Sequence, residues 1–333
     1  MARKYVYANQ KGGVTKTTTA VNSAVMASLC GKRTLLVDMD GQGNSTYALG
    51  YNPDGLEHIV YTVMQGSSTI GQALKPTYFD PTTGVFFDPR EGKVMEALGI
   101  TSVQQARRGP DLLPNNILAS SADSELQENP TWGILLRTIV QEVEEQYDEI
   151  YIDTNPSLGK LTVNALYSAQ HVVIPMTPET WSTQGMIALA RSVMQAQKAN
   201  RHLGVAGILF TRVRYASHQD VMEYVRGRLL PDIHTRYSSL DMSCFDAVIH
   251  EGAAFGEAAN SRTNIILSNP YSSFALEYWR YYIELLNRTG CEGLHVAMQT
   301  YQRLFKLYEE DRVKKKDAKD AKKQSSPLTE RGE

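Results

Sequence analysis

The sequence predicts an α/β fold: a mostly parallel twisted sheet flanked by helices, with a C-terminal helical extension. Three observations carry this. Short apolar, β-rich runs alternate with helix-length segments, two of the runs end in aspartate, and a glycine-containing loop separates the first run from the first helix. Strands that are apolar throughout are buried on both faces, as strands of parallel sheets are.

The elements follow in order. Residues 4–8 form the first short run, and a loop then leads into a helical stretch from about 17 to 29. TLLVD at 34–38 is a buried strand, and EIYID at 149–153, HVVIP at 171–175 and VAGILF at 205–210 repeat its character. A long helix from about 183 to 199 fits between the last two. Residues 75–110 are punctuated by proline and glycine and read as an irregular insertion. From 271 to about 307 the chain is rich in aromatics and leucine, which predicts two helices broken near Gly290. That aromatic stripe reads as core packing first and as a dimer or partner surface second. The expected organisation is a main domain over 1–290, a helix over 291–311 and a basic, disordered tail over 312–333.

Of the 333 residues, 42% are hydrophobic and 21% charged, a soluble globular profile. No apolar run approaches the roughly 18 residues of a membrane span. The first residues turn polar too early for a leader, and Cys30, Cys244 and Cys291 are too scattered for a disulfide scaffold or a cysteine metal site. A cytoplasmic protein is expected. Net charge is −2, with a basic segment at 312–323 that holds seven Lys/Arg against two Asp. The charge balance argues against a protein that coats nucleic acid throughout, while leaving a local basic patch or tail.

Three segments carry chemistry. The first, NQKGGVTKTTT at 9–19, joins the first strand to the first helix. There, backbone N–H groups and the positive helix end converge on one spot suited to phosphate. Gly12 and Gly13 permit close approach, Lys16 can neutralise phosphate charge and Thr17 can offer a hydroxyl to Mg2+. Gln10 and Thr15 occupy the glycine positions of the strict G-x-x-x-x-G-K-[ST] pattern, so by itself the loop also reads as a glycine-rich turn. The second, LLVDMDGQGN at 35–44, puts Asp38 and Asp40 at the carboxyl end of a buried strand, where α/β ligands bind. One of them can serve a metal shell and the other orient a water. In the third, IYIDTNPSLG at 150–159, Asp153 closes another strand. It is placed as a magnesium-shell residue of a nucleotide hydrolase would be.

Taken together, KGGVTKTT at 11–18, LLVDMDGQGN and IDTNPSLG resemble the deviant Walker A, switch I and switch II segments of the ParA/Soj partition ATPases. These belong with MinD in one P-loop superfamily. The likeness continues through 161–175 and covers roughly 3–60 and 111–215. It implies ATP and Mg2+ as cofactors, with Gly12, Gly13, Val14, Thr15, Lys16, Thr17 and Thr18 as the nucleotide loop. Lys11 would cross a dimer interface to the partner's nucleotide, which fits a second lysine not needed for phosphate in cis. Thr17, Asp38 and Asp153 would serve the metal, and Asp40 would be needed for hydrolysis, with Lys11 and Lys16 catalytic beside it. Thr211 and Arg212 stand where relatives read adenine. Thr15 replaces the usual glycine, Gly41 a usual proline, and Thr154-Asn155 a usual Cys/Ala-Pro pair.

The resemblance further implies an ATP-bound homodimer that binds DNA non-specifically and segregates plasmid or chromosomal DNA with a ParB-like centromere-binding protein, on the nucleoid. The segment at 241–256 lacks the arginines relatives place there. Arg191, Lys198, Arg201, Arg226, Arg228 and the tail remain as DNA-binding candidates. With the nucleotide loop beginning at residue 11, no N-terminal helix-turn-helix is expected. VKKKDAKDAKK at 313–323 lacks the bulky apolar residues of a membrane helix, so no membrane partner is expected. The alternatives are the same ATPase engine positioning a protein cargo or regulating cell division, and a nucleotide-gated scaffold with little turnover.

Overall fold

Seven strands build one wholly parallel sheet in the order β10-β9-β8-β1-β7-β2-β6. They are β1 (Arg3–Tyr7), β2 (Thr34–Met39), β6 (Asp111–Leu113), β7 (Glu149–Thr154), β8 (His171–Met176), β9 (Gly204–Val213) and β10 (Cys244–His250). In the computed structural model, residues 1–178, 183–214, 218–237 and 240–324 are described. Every residue of β2 and β7 is buried, as their uninterrupted apolar character requires. The five strands expected from the sequence are all present. The three-residue β6 and the alternating β10 occupy the two sheet edges, and neither carries the long apolar run that betrayed the others.

The sheet brings the carboxyl ends of β1, β2 and β7 side by side, with Tyr7 opposite Asp153 and Asp153 opposite Asp38. The helices that matter for the site are α1 (Lys16–Leu29), α2 (Asn44–Ala48), α3 (Lys160–Ser168), α4 (Thr183–Ala199), α5 (Ala254–Asn260), α6 (Ile265–Ser268), α7 (Ser273–Thr289) and α8 (Leu294–Gln324). Between β9 and β10 the chain is helical over 219–236, with a π-helical stretch at Val225–Leu229. Pro231 comes two residues after it; a proline cannot donate to the carbonyl four residues back, and the wider turn accommodates it.

The α7 part of the aromatic stripe is core, whereas Tyr271 before it and Phe305 on α8 are exposed. Tyr278, Trp279, Tyr281 and Tyr282 of α7 are fully buried. Three of their neighbourhood's hydroxyl contacts tie the helix to the sheet: Tyr7 with Tyr281 at 3.2 Å, Tyr5 with Thr289 at 3.1 Å, and Tyr282 donating to Glu149 Oε2 at 3.2 Å. Such partners are needed because a buried hydroxyl without one is costly. Glu149 also accepts from Tyr151 and from Cys291, and its burial raises its pKa. Gly290 ends α7 at φ 60, a left-handed cap, and the break expected there is present.

Two expectations are changed. The helix placed at 291–311 runs as α8 to Gln324, well into the segment assigned to a tail. Its Lys and Ala residues are strong helix formers, and Lys315 pairs with Asp311 one turn back at 2.6 Å. The remainder of the tail, 325–333, lies outside the described residues. The 75–110 insertion is not wholly irregular: β3 (Tyr78–Phe79), β4 (Phe86–Phe87) and β5 (Arg107–Arg108) form a small antiparallel sheet. Among the described residues, no helix is long and apolar enough to cross a membrane.

Candidate functional site

The loop between β1 and α1 is shaped from both ends. Asn9 donates Nδ2 to the Pro175 carbonyl at 2.8 Å, and its Oδ1 accepts the Lys11 N–H at 3.0 Å. At the other end no side chain caps α1, and its first turn holds no acid. The first N–H groups and the positive helix end are thus left for an anion. Lys16, only 7% exposed, points its ammonium back into the loop at 3.2 Å from the Lys11 carbonyl. Burial lowers its pKa, and the Asp153 and Asp40 carboxylates oppose that shift.

Thr15 is the N-cap of α1 and sits at φ 65, ψ 27. A β-branched residue in the left-handed region is strained by roughly 1–2 kcal/mol. Its hydroxyl lies 3.4 Å from that of Thr19, which in turn is 3.4 Å from the Tyr278 hydroxyl. Replacing Thr15 with Gly should therefore stabilise the protein by about 0.5–1 kcal/mol, relief of strain exceeding glycine's entropy cost. Denaturant unfolding checks this, and a loss of stability would assign the hydroxyl contacts the larger weight.

The three aspartates occupy different roles in space. Asp38 is fully buried, and its carboxylate is saturated: Oδ1 accepts Asp40 N–H at 3.0 Å, and Oδ2 accepts Thr46 N–H and hydroxyl at 2.9 and 2.8 Å. It anchors α2 and lies behind the cavity. Asp153 Oδ2 accepts the Ser45 hydroxyl at 2.8 Å, while its Oδ1 is buried with no partner. Burial raises the pKa of both, and Asp153 adds to the rise at Asp38. Asp40 alone of the three lines the cavity, with Oδ1 accepting Gln42 N–H at 3.0 Å. Gly43, at φ 64, lets α2 start there, since a Cβ would lie 2.8 Å from Pro53. In the turn after β7, Asn155 Oδ1 accepts from Ser157 N–H and from the Ser157 and Thr162 hydroxyls.

These elements enclose a cavity of about 570 Å3. Gly12, Gly13, Val14, Thr15, Lys16, Thr17 and Thr18 all line it, so the whole predicted loop converges. Arg212, at φ 52, lines it as well, held at 2.8 Å by Glu251, whose carboxyl Arg214 and Arg212 together pull down to about 2. Thr211 is fully buried outside it and donates its hydroxyl to the Val14 carbonyl at 3.2 Å, bracing the loop. Lys11 is exposed, with its ammonium 3.4 Å from the Thr177 hydroxyl. Sequence reasoning missed the far wall: Tyr47, Phe255, Thr263, Asn264 and Ile265. The aromatics Tyr47 and Phe255, each among small residues, were the local signals of it.

Asp153 Oδ1 is left unpartnered, and the Thr17 hydroxyl near Asp153 lowers that carboxyl's pKa, so these two are the residues that could hold a metal. Among the described residues no three His, Cys, Asp or Glu side chains converge on a cation. An ion there would take most of its ligands from phosphate oxygens and water.

The DNA candidates are not gathered at the cavity. Arg226 donates to the Phe245 carbonyl at 3.1 Å and lies 5.6 Å over the Phe210 ring, so it packs the sheet edge. Arg191 donates to the Tyr237 hydroxyl at 2.9 Å. Lys198, Arg201 and Arg228 are exposed, as are Arg312, Lys314, Lys315 and Lys316 on α8.

A model of an AAA domain matches residues 2–205. The sporulation initiation inhibitor protein Soj of Bacillus subtilis (strain 168) is 29% identical over 300 residues, covering 88% of this chain and all of that protein. The chromosome-partitioning ATPase Soj of Treponema pallidum is 35% identical over 212 residues, 63% of this chain and 72% of its own. Cobyrinic acid a,c-diamide synthase from Mycobacterium smegmatis, with bound ADP and magnesium, superposes with a TM-score of 0.57 at 31% identity. That match covers 68% of this chain and 82% of that one.

Proposed function

Because the chain belongs to the ParA/Soj family of P-loop ATPases, we propose that its cavity binds ATP with Mg2+ and hydrolyses it to ADP and phosphate. The observation that carries this is the convergence of the uncapped α1 terminus, Lys16 and Asp40 on one cavity. Thr17 and Asp153 would hold the cation, which supplies charge neutralisation at the phosphates. Lys16 binds the phosphates, the loop amides orient them, and Asp40 positions the attacking water. Asp38 acts through its bond to the Asp40 backbone, as a positioning residue. ADP and magnesium in the M. smegmatis relative support the same ligands here.

The ATP state forms a homodimer in which Lys11 reaches the partner's nucleotide. Its exposure beside the cavity supports that role. The dimer binds DNA non-specifically and, with a ParB-like centromere-binding partner that stimulates hydrolysis, segregates plasmid or chromosomal DNA on the nucleoid. The test is binding of purified protein to DNA of unrelated sequences with no nucleotide, ADP, or ATP plus Mg2+, at two salt concentrations. Binding only with ATP, weakened by salt, is expected. No binding in any state would shift the platform to a protein cargo. Steady-state phosphate release with and without DNA separates hydrolysis from a nucleotide-gated scaffold, which the absence of release would leave.

Lys11→Ala is expected to bind ATP within a few-fold of wild type yet remain monomeric on a sizing column. An ATP-dependent dimer of this variant would remove the trans role. Trans-acting cations in phosphoryl transfer are worth about 10³–10⁵ in rate, so stimulated turnover should fall with the dimer.

A further inference from the structure

The long helix α8 changes character halfway along. Its first half lies on the body: Ala297 and Leu304 are buried, Tyr301 and Tyr308 are half-buried, and Arg280 of α7 donates Nε to the Tyr301 hydroxyl at 2.8 Å. From Arg312 to Ala318 every residue is exposed, Val313 to 56%. Seven consecutive helical residues point in every direction around the axis, so no side of the helix rests on the body there. A helix with nothing to pack against is marginal by itself. This one is nucleated by its packed half and carries pairs one turn apart, Arg312 with Glu309 at 3.5 Å and Lys315 with Asp311 at 2.6 Å. It stands out from the body as an arm.

The charge on this arm is ordered. Ala297, Tyr301, Leu304 and Tyr308 follow one another at the three- and four-residue spacing of one helix face. Carried past Tyr308, the same spacing reaches Arg312, Lys315, Lys319 and Lys322, with Lys316 and Lys323 beside them. One face is thus apolar while it covers the body and cationic where the body ends. Lys314 and Asp317 fall outside it. The helix dipole accounts for cations in the last turn only, whereas Arg312, Lys315 and Lys316 stand two turns or more before Gln324. Their pairing with acids one turn back does not occupy them, because exposed ion pairs are weak and exchange readily for another anion. The six positions span about 17 Å of helix, and duplex DNA offers a negative charge per about 1.7 Å of its axis. A line of charge that dense can meet every cation of the arm. A lipid surface cannot use it as well, since Val313 is the one bulky apolar residue of 312–323. Lysine meets phosphate as a point charge, and the face holds no Asn or Gln to read adenine. Contact is therefore to the backbone and indifferent to sequence.

We propose that the free half of α8 is a DNA-binding arm, whose face of Arg312, Lys315, Lys316, Lys319, Lys322 and Lys323 lies along the phosphate backbone of the duplex. The inference rests on the reading that the ATP-bound dimer binds DNA, to which two chains bring two tethered arms. Its test is fluorescence anisotropy of a labelled duplex with the full chain and Mg-ATP, between about 50 and 200 mM salt. The variant R312Q/K315Q/K316Q/K319Q/K322Q/K323Q removes the charge and keeps a good helix former at each position. Each phosphate contact contributes about 0.9 to the slope of log affinity against log salt. Loss of three or more contacts should make that slope shallower by about 3, and affinity near 100 mM salt should fall at least about tenfold on unrelated sequences alike. ATP affinity and melting temperature should match wild type. Lys314→Gln, off the face, should leave DNA affinity within twofold, and replacing the five lysines of the face by arginine should preserve it. A six-glutamine variant with wild-type affinity and slope would overturn the arm and leave the DNA reading standing. Wild type that binds no duplex, or that binds phosphatidylserine vesicles instead, would remove both.

Discussion

Lys16→Ala is expected to lower ATP affinity at least about 100-fold, with the fold intact. The Lys16 ammonium is buried in the loop that opens α1, and its pKa is lowered because it has left water. A hydrogen bond to a charged group contributes about 1.5–3 kcal/mol. Several phosphate oxygens share this cation in a partly dehydrated pocket, so a loss near 2.7 kcal/mol, or 100-fold, is the lower bound. The folded protein should tolerate the change, since a desolvated cation is removed and what its ammonium gives up is a hydrogen bond to the nearby Lys11 carbonyl. Calorimetry with ATP, beside a thermal melt, reads both quantities. ATP affinity within tenfold of wild type would sink the assignment of this loop.

Asp40→Ala should separate binding from turnover. Asp40 lines the cavity while Asp38 and Asp153 are fully buried, so it is the carboxylate of the three placed to reach a water at the terminal phosphate. General-base or water-positioning groups contribute about 10²–10⁴ in rate. Steady-state phosphate release should fall at least about 100-fold, with ATP affinity changed no more than a few-fold. The Asp40 side chain also accepts the Gln42 N–H, so Asp40→Asn, which keeps an acceptor there, controls for a loosened turn. Turnover lost in the alanine variant but kept in the asparagine one would make Asp40 a structural residue of that turn.

Asp38 and Asp40 show where sequence reading stops. Their two-residue spacing at a strand end marks both as candidates for the same chemistry. Strand alternation would put both on one face, but β2 ends at Met39: Asp38, inside the strand, is saturated by Thr46 and the Asp40 backbone, and Asp40, just past the strand end, is left at the cavity. Thr211 and Arg212 divide in the same way, one bracing the loop from behind and the other facing the cavity. In the first pair close neighbours decide which side chain faces the cavity, and in the second Val14, 197 residues away, does.

The sequence by itself determined the parallel sheet, the glycine-containing loop and its entry into α1, and the break at Gly290. Those rest on local physics: apolar runs that must be buried on both faces, and glycines that permit particular turns. Only the tertiary structure decided the edge strands, the continuation of α8 and the far wall of the cavity. Strand β6 is three residues long, and β10 alternates, so neither announces a strand until a neighbour offers its hydrogen bonds. The wall at 255–265 is held by the insertion through Arg262 and Thr263, from more than 170 residues away. Contacts of that separation leave no periodic trace in a chain, because their free energy comes from the meeting of surfaces that each have another local explanation.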